Sequence, residues 1–304
     1  MDLLYFRIAS VVVIALIYML FDVFNRRNVP SLFAYATIAY GVALTVLYLN
    51  FRIILLSSLI AIAVMGFGYF VYKIGQLGLG DAFELAALSL VLPLQPKGLI
   101  GNLPTLGLPF EFSLLVCMGI AALILVPLYY IPKSKGMKVK HYVDSGDAVK
   151  AVTMAAVYLV FIIFMVLEVK ISIYGTVLLL AVMAGSVSII VFERKITYMM
   201  VDMVDFRKFE EGDIIAFNLM DREEIEQSRK KVAGFDRLVT RELIAEMKRK
   251  DIRKKYPVYK RAVPLAVPIF AGAILSVVFG NLIFLIAPAG FFVLPAASYM
   301  ISAI

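Results

Sequence analysis

Long apolar runs alternate with short polar interruptions along this chain. About 20 apolar residues are what an α-helix needs to cross the hydrocarbon core of a bilayer. Runs of that kind fall near residues 3–23, 32–51, 53–72, 112–131, 149–168, 171–192 and 263–287. A shorter run, about 82–94, ends at Pro93 and Pro96; it spans only if the glycine-rich approach or the segment beyond also lies at membrane depth. The last run, about 289–304, is set off by Pro288 and Gly290 and reads as a short span or a re-entrant stub. The pattern predicts an all-α polytopic membrane protein, a bundle of eight to nine transmembrane helices.

One polar segment of domain size breaks this pattern. Residues 193–261 carry 18 Lys/Arg and 14 Asp/Glu, with Gly212-Asp213 and Gly234 as turn signals. Helical spacing over Arg222–Lys255, with Glu242 and Glu246 facing Arg249 and Lys250, predicts a mainly helical subdomain. The chain thus divides into a core of 1–131, a basic loop and two further helices over 132–192, the charged subdomain 193–261, and a C-terminal membrane part 262–304. No internal repeat of the inverted-repeat transporter kind stands out.

Composition narrows the class. The chain is 62% hydrophobic and 17% charged, with a mean hydropathy of +0.92, which excludes a soluble domain. The single Cys117 excludes an intrachain disulfide, and with the single His141 it argues against a Cys/His metal cage, so no metal or cofactor is expected. The first run lacks a basic leader and a small-residue cleavage site, and reads as a retained helix rather than a signal peptide.

Charge sets the expected orientation, because Lys and Arg in short loops favour the cytoplasm. With the N-terminus outside, alternate threading puts 26 of the 30 bases inside and leaves only Arg7, Arg52, Lys97 and Lys170 outside. The net charge of +8 therefore needs no nucleic acid. The basic excess of 193–261 beside the inner leaflet would also suit anionic lipid headgroups.

Candidate chemistry collects at one face. This threading brings the end of the first run, with Asp22, and the start of the fourth, with Asp81, to the cytoplasmic side. Gly75, Gly78 and Gly80 precede Asp81, and Glu84 follows it by one helical turn. Acids at membrane depth are functional candidates by default. Two carboxylates held together in a low dielectric do not both ionise cheaply. The pair then supplies a base to activate water and an acid to protonate a leaving amine, while glycines allow an extended peptide to approach.

These residues also carry a resemblance. Gly78-Leu79-Gly80-Asp81 resembles the Gly-x-Gly-Asp motif of membrane aspartic peptidases, which include type IV prepilin peptidases, archaeal preflagellin peptidases and presenilins. Acids on the first and fourth runs follow the order of the prepilin and preflagellin enzymes rather than the presenilins. Asp22 followed by Asn25-Arg26-Arg27-Asn28-Val29-Pro30 is similar to the run after the first aspartate in that family. The likeness covers about residues 1–131; Glu84 stands where the family often has Lys, and a Cys-x-x-Cys pair is lacking, so no methyltransferase activity is inferred. The resemblance implies an endopeptidase that removes the short basic leader of pilin- or archaellin-like precursors at the cytoplasmic membrane face, with Asp22 and Asp81 catalytic.

Other readings stay open. The same acids, Asp22, Asp81 and Glu84, would serve a cation- or proton-coupled transporter. A presenilin-like intramembrane protease, or a scaffold that docks partners on its basic segment, is also compatible with the chain. Asp144-Ser145-Gly146-Asp147 looks like a second acid motif, but its residues suit the cap of a helix starting there. Glu84 would modulate the dyad or add a polar group to a wet cleft.

Overall fold

Ten α-helices and one two-stranded antiparallel ribbon make up the described residues (3–25, 29–74, 77–99, 107–133, 145–232, 234–250, 255–260 and 265–286) of a computed structural model of the chain. Five helices among them are long and apolar enough to cross a membrane: α1 (Leu3–Phe24), α3 (Phe51–Lys73), α5 (Phe110–Lys133), α6 (Ser145–Leu167) and α7 (Ile173–Met200). The chain is thus a mostly helical membrane protein. The expectation of eight to nine full spans is corrected.

The shortfall lies in α2 (Ser31–Val46), α4 (Leu79–Val91) and α10 (Ala266–Phe279), of 16, 13 and 14 residues. At 1.5 Å per residue these reach roughly 24, 20 and 21 Å, short of the ~30 Å hydrocarbon core. An unbroken run of apolar letters conceals where each helix stops. The chain beyond α2 turns through Leu49 at φ 51°, α4 ends before Pro93, and α10 ends at Gly280 with φ 81°. The run 289–304 lies outside the described residues.

Short helices are tolerable here because protein, not lipid, surrounds the most central of them. In α4, Ala82 and every residue from Glu84 to Val91 are buried. Helices α2 and α3 cover one side of α4, and α1 covers another. Gly41 of α2 and Gly68 of α3 allow this close approach, since a Cβ at Gly41 would stand 2.8 Å from the Leu90 Cβ and one at Gly68 would meet Ala82. The main core joins α1, α4, α5 and α10 through Val11, Tyr18, Leu88, Phe110, Leu114 and Ile269. Helix α7 packs on α5 and α6. Asp147 lies in the first turn of α6 and pairs with Lys150 (3.3 Å) and Arg194 (3.4 Å), which fits a local role.

The polar segment folds around its own core and adds a two-stranded ribbon to its helices. Strand β1 (Val201–Asp205) pairs antiparallel with β2 (Lys255–Tyr259), flanked by α8 (Arg222–Lys231) and α9 (Arg241–Arg249). Phe206, Phe235, Leu243, Met247, Tyr256 and Val258 fill the interior. The expected helical stretch 222–255 breaks at extended Val232 and at Gly234 (φ 77°), and Thr240 caps a new start. Charge spacing found the local pairs but not these boundaries, which the buried aromatics set. Glu246 does pair with Arg249 (2.8 Å) and Lys250 (3.1 Å), and Gly212 takes the left-handed turn at φ 91°.

Candidate active site

Asp22 lies in the last turn of α1 and is buried. It continues the inward stripe of Val11, Ala15 and Tyr18, residues three to four apart on one helix face. One carboxylate oxygen, Oδ2, accepts the backbone N–H of Ala266 at 3.2 Å. Ala266 opens α10, where backbone N–H groups lack intrahelical partners and the helix dipole favours negative charge.

Asp81 occupies the third position of α4, with Gly78 as the extended N-cap (φ −72°, ψ 142°). Its Oδ2 accepts the Gly78 N–H at 3.1 Å, one half of the reciprocal bonding that opens many helices. The motif residues Gly80 and Asp81 are therefore inside the first helical turn. A Cβ on Gly80 would stand 3.1 Å from Val29 Cγ2. Val29, seven residues after Asp22, thus lies against the turn that carries Asp81. Gly75, Arg26, Arg27 and Asn28 lie outside the described residues.

Glu84, one turn beyond Asp81, is wholly buried, and neither of its carboxylate oxygens has a hydrogen-bond partner among the described residues. Asp81, Asp22 and Glu111 all lie within electrostatic reach of it. Asp22, on α1, and Asp81, on α4, are thus both within electrostatic reach of one buried carboxyl. Among the described residues, no group of three His, Cys, Asp or Glu is arranged to hold a metal ion.

Several participants had no part in the sequence reading. Tyr18, one turn before Asp22, is fully buried, shares a hydrogen bond with Thr37 (2.9 Å between hydroxyls), and lies within electrostatic reach of Glu84 and Asp81. Its ring meets Phe33, which also packs on Phe21. The i, i+4 spacing from Tyr18 to Asp22 was the available signal. Glu111 is buried in the first turn of α5 with neither oxygen bonded among the described residues, and an acid opening an apolar run was visible in the sequence. The Ala266 N–H carried no signal, because a backbone donor is the same on almost any residue.

Carboxyl groups at two helix ends, with a helix N-terminus and a buried hydroxyl nearby, are of the residue types that can exchange protons with water and a leaving group. No protein-family model, characterised protein or solved structure matches this chain.

Proposed function

We propose that this chain is a membrane aspartic endopeptidase in which Asp22 and Asp81 form the catalytic dyad. One observation carries the reading: Val29, from the segment after Asp22, packs against Gly80 of the Gly-x-Gly-Asp turn, with Asp22 and Asp81 both within electrostatic reach of the buried Glu84. One carboxylate removes a proton from water as it attacks the scissile carbonyl. The other carboxyl donates a proton, and the leaving amine departs protonated once the tetrahedral intermediate collapses.

The substrate class we propose is a pilin- or archaellin-like precursor, a short basic leader ahead of an apolar helix, cut at the cytoplasmic membrane face. Both aspartates lie near helix ends rather than at mid-helix, which suits a bond at the edge of the membrane. The Lys/Arg distribution supports a cytoplasmic location for that edge and for the polar unit, where anionic headgroups are further proposed partners. Cleavage of such a precursor in membranes, comparing wild type with Asp22→Asn and Asp81→Asn, tests the reading. Loss in both variants with insertion intact supports the dyad; cleavage surviving either change overturns it.

A further inference from the structure

Helix α1 packs along α4. Beside its Asp22 end lies the turn of Asp81. At the other end, Arg7 is fully buried, and its Nη1 donates to the Val91 carbonyl at 2.9 Å while its Nη2 donates to the Leu44 carbonyl. The guanidinium lies 3.9 Å over the Tyr48 ring, and the neighbouring Thr45 hydroxyl donates to the Leu90 carbonyl at 2.6 Å. Leu44 and Thr45 close α2; Leu90 and Val91 close α4.

The last carbonyls of a helix have no partner within it. An unpaired carbonyl at membrane depth is expensive, and Pro93, just beyond α4, has no N–H to offer. Arg7 and Thr45 answer three of these carbonyls at once. The fork also places a positive charge where the negative ends of two helix dipoles converge. Elsewhere α4 meets its neighbours through small residues, with Gly68 on Ala82 and Gly41 on Leu90. Such contacts bring helices close, but a smooth surface does little to fix how far one slides along another. Directional bonds do.

We infer that Arg7 is a positioning residue that fixes the depth of α4 against α1, and so sets where Asp81 stands relative to Asp22. Arg7 and Asp22 are about four turns apart on α1, and Asp81 and Val91 about three turns apart on the antiparallel α4. Helix α1 thus acts as a gauge bonded to α4 at its Arg7 end and to Ala266 of α10 at its Asp22 end. The catalytic consequence rests on the peptidase reading above; the positional claim does not.

The test is made on the full chain with Cys117 replaced by Ser and spin labels on Val23→Cys and Leu79→Cys, both at exposed sites. Dipolar EPR then reads the separation of the two helix ends. Arg7→Met is expected to shift or broaden that distance by several ångströms, Thr45→Ala to do so less, and Arg7→Lys to restore part of the order. In unlabelled protein, Arg7→Met should lower kcat at least tenfold with KM within about twofold, and Arg7→Lys should recover part of it. A wild-type distance distribution in Arg7→Met overturns the inference. Should Arg7→Met fail to insert, Arg7→Lys decides, since it keeps the charge but not the two-pronged fork: a distribution broader than wild type supports the clamp and an unchanged one overturns it. A shifted distance with unaltered kcat overturns the catalytic half. Absence of cleavage in wild type counts against the peptidase reading alone, and the distance measurement still decides the positional claim.

Discussion

Asp22 near the start of the chain and Ala266 at the head of α10 are joined directly: Asp22 Oδ2 accepts the Ala266 N–H at 3.2 Å in a buried setting. The carboxylate therefore has a structural duty beside the chemical one proposed for it. Asparagine keeps an oxygen to accept that N–H, and alanine does not. Asp22→Asn is expected to unfold within about 1 kcal/mol of wild type, whereas Asp22→Ala loses about 1–3 kcal/mol by stranding a buried donor. Cleavage is expected to vanish in both. Thermal unfolding in detergent, read beside a cleavage assay, separates the two duties; equal destabilisation by both variants would remove the hydrogen bond from the account.

Glu84 and Glu111 are both buried with unbonded carboxylate oxygens among the described residues. Polar groups so placed cost stability relative to apolar ones of similar shape, roughly 1–3 kcal/mol each. Only Glu84 shares a helical turn with Asp81. Glu84→Leu is therefore expected to raise the unfolding midpoint while cutting activity at least tenfold, the trade of stability against function found at working sites. Glu111→Met should raise the midpoint with a much smaller loss. Activity that survives Glu84→Leu would reduce Glu84 to an accident of packing.

The close approach of α2 and α3 to α4 depends on absent side chains. A Cβ at Gly68 would collide with Ala82 and one at Gly41 would stand 2.8 Å from the Leu90 Cβ, while one at Gly66, on α3, would meet nothing within 4 Å. Gly68→Ala and Gly41→Ala are expected to destabilise by about 1–3 kcal/mol through overpacking. Gly66→Ala should be neutral or slightly stabilising, as alanine is the better helix former. Unfolding midpoints of the three variants check this, and an equal loss at all three would point to a general intolerance instead.

How much of this could be read from the letters depends on the kind of signal each part leaves. Asp22 and Asp81 stand out as candidates in the letters because acids are rare in apolar runs, and alternate threading puts their run ends at one face. The lengths of α2 and α10 were not. Their stops depend on Leu49 and Gly280 turning the chain within sequence that stays apolar on both sides. The ribbon β1–β2 was hidden too: Lys255–Tyr259 sits beside a strongly charged stretch, and its pairing with Val201–Asp205 is a long-range choice made by buried Tyr256 and Val258. Arg7 was visible as a base within the first run, but its partners are backbone carbonyls, which no side-chain pattern reveals.

The polar unit offers a test against pH. The bond from Lys250 first, and then that from Arg249, hold the Glu246 carboxyl below its ordinary value of 4.5. A carboxylate whose pKa is lowered by folding adds stability above its unfolded pKa, and that contribution fades as pH falls through the lower folded value. Wild type should therefore lose part of the stability of α9 below about pH 4.5, and Glu246→Gln should lose less over the same range. Both partners of Glu246 are exposed (73% for Arg249, 39% for Lys250), so the effect is small and should shrink in 1 M salt, where the Debye length is about 3 Å. Met247, the next residue, is fully buried in the core of this unit. Its methyl resonance in 13C-Met-labelled protein reports local loosening, which is expected already at neutral pH in Glu246→Gln and in wild type only as pH falls, the two converging once Glu246 is protonated. Identical titrations of that methyl in the two proteins would show that the Glu246 pairs contribute nothing to holding α9 in place.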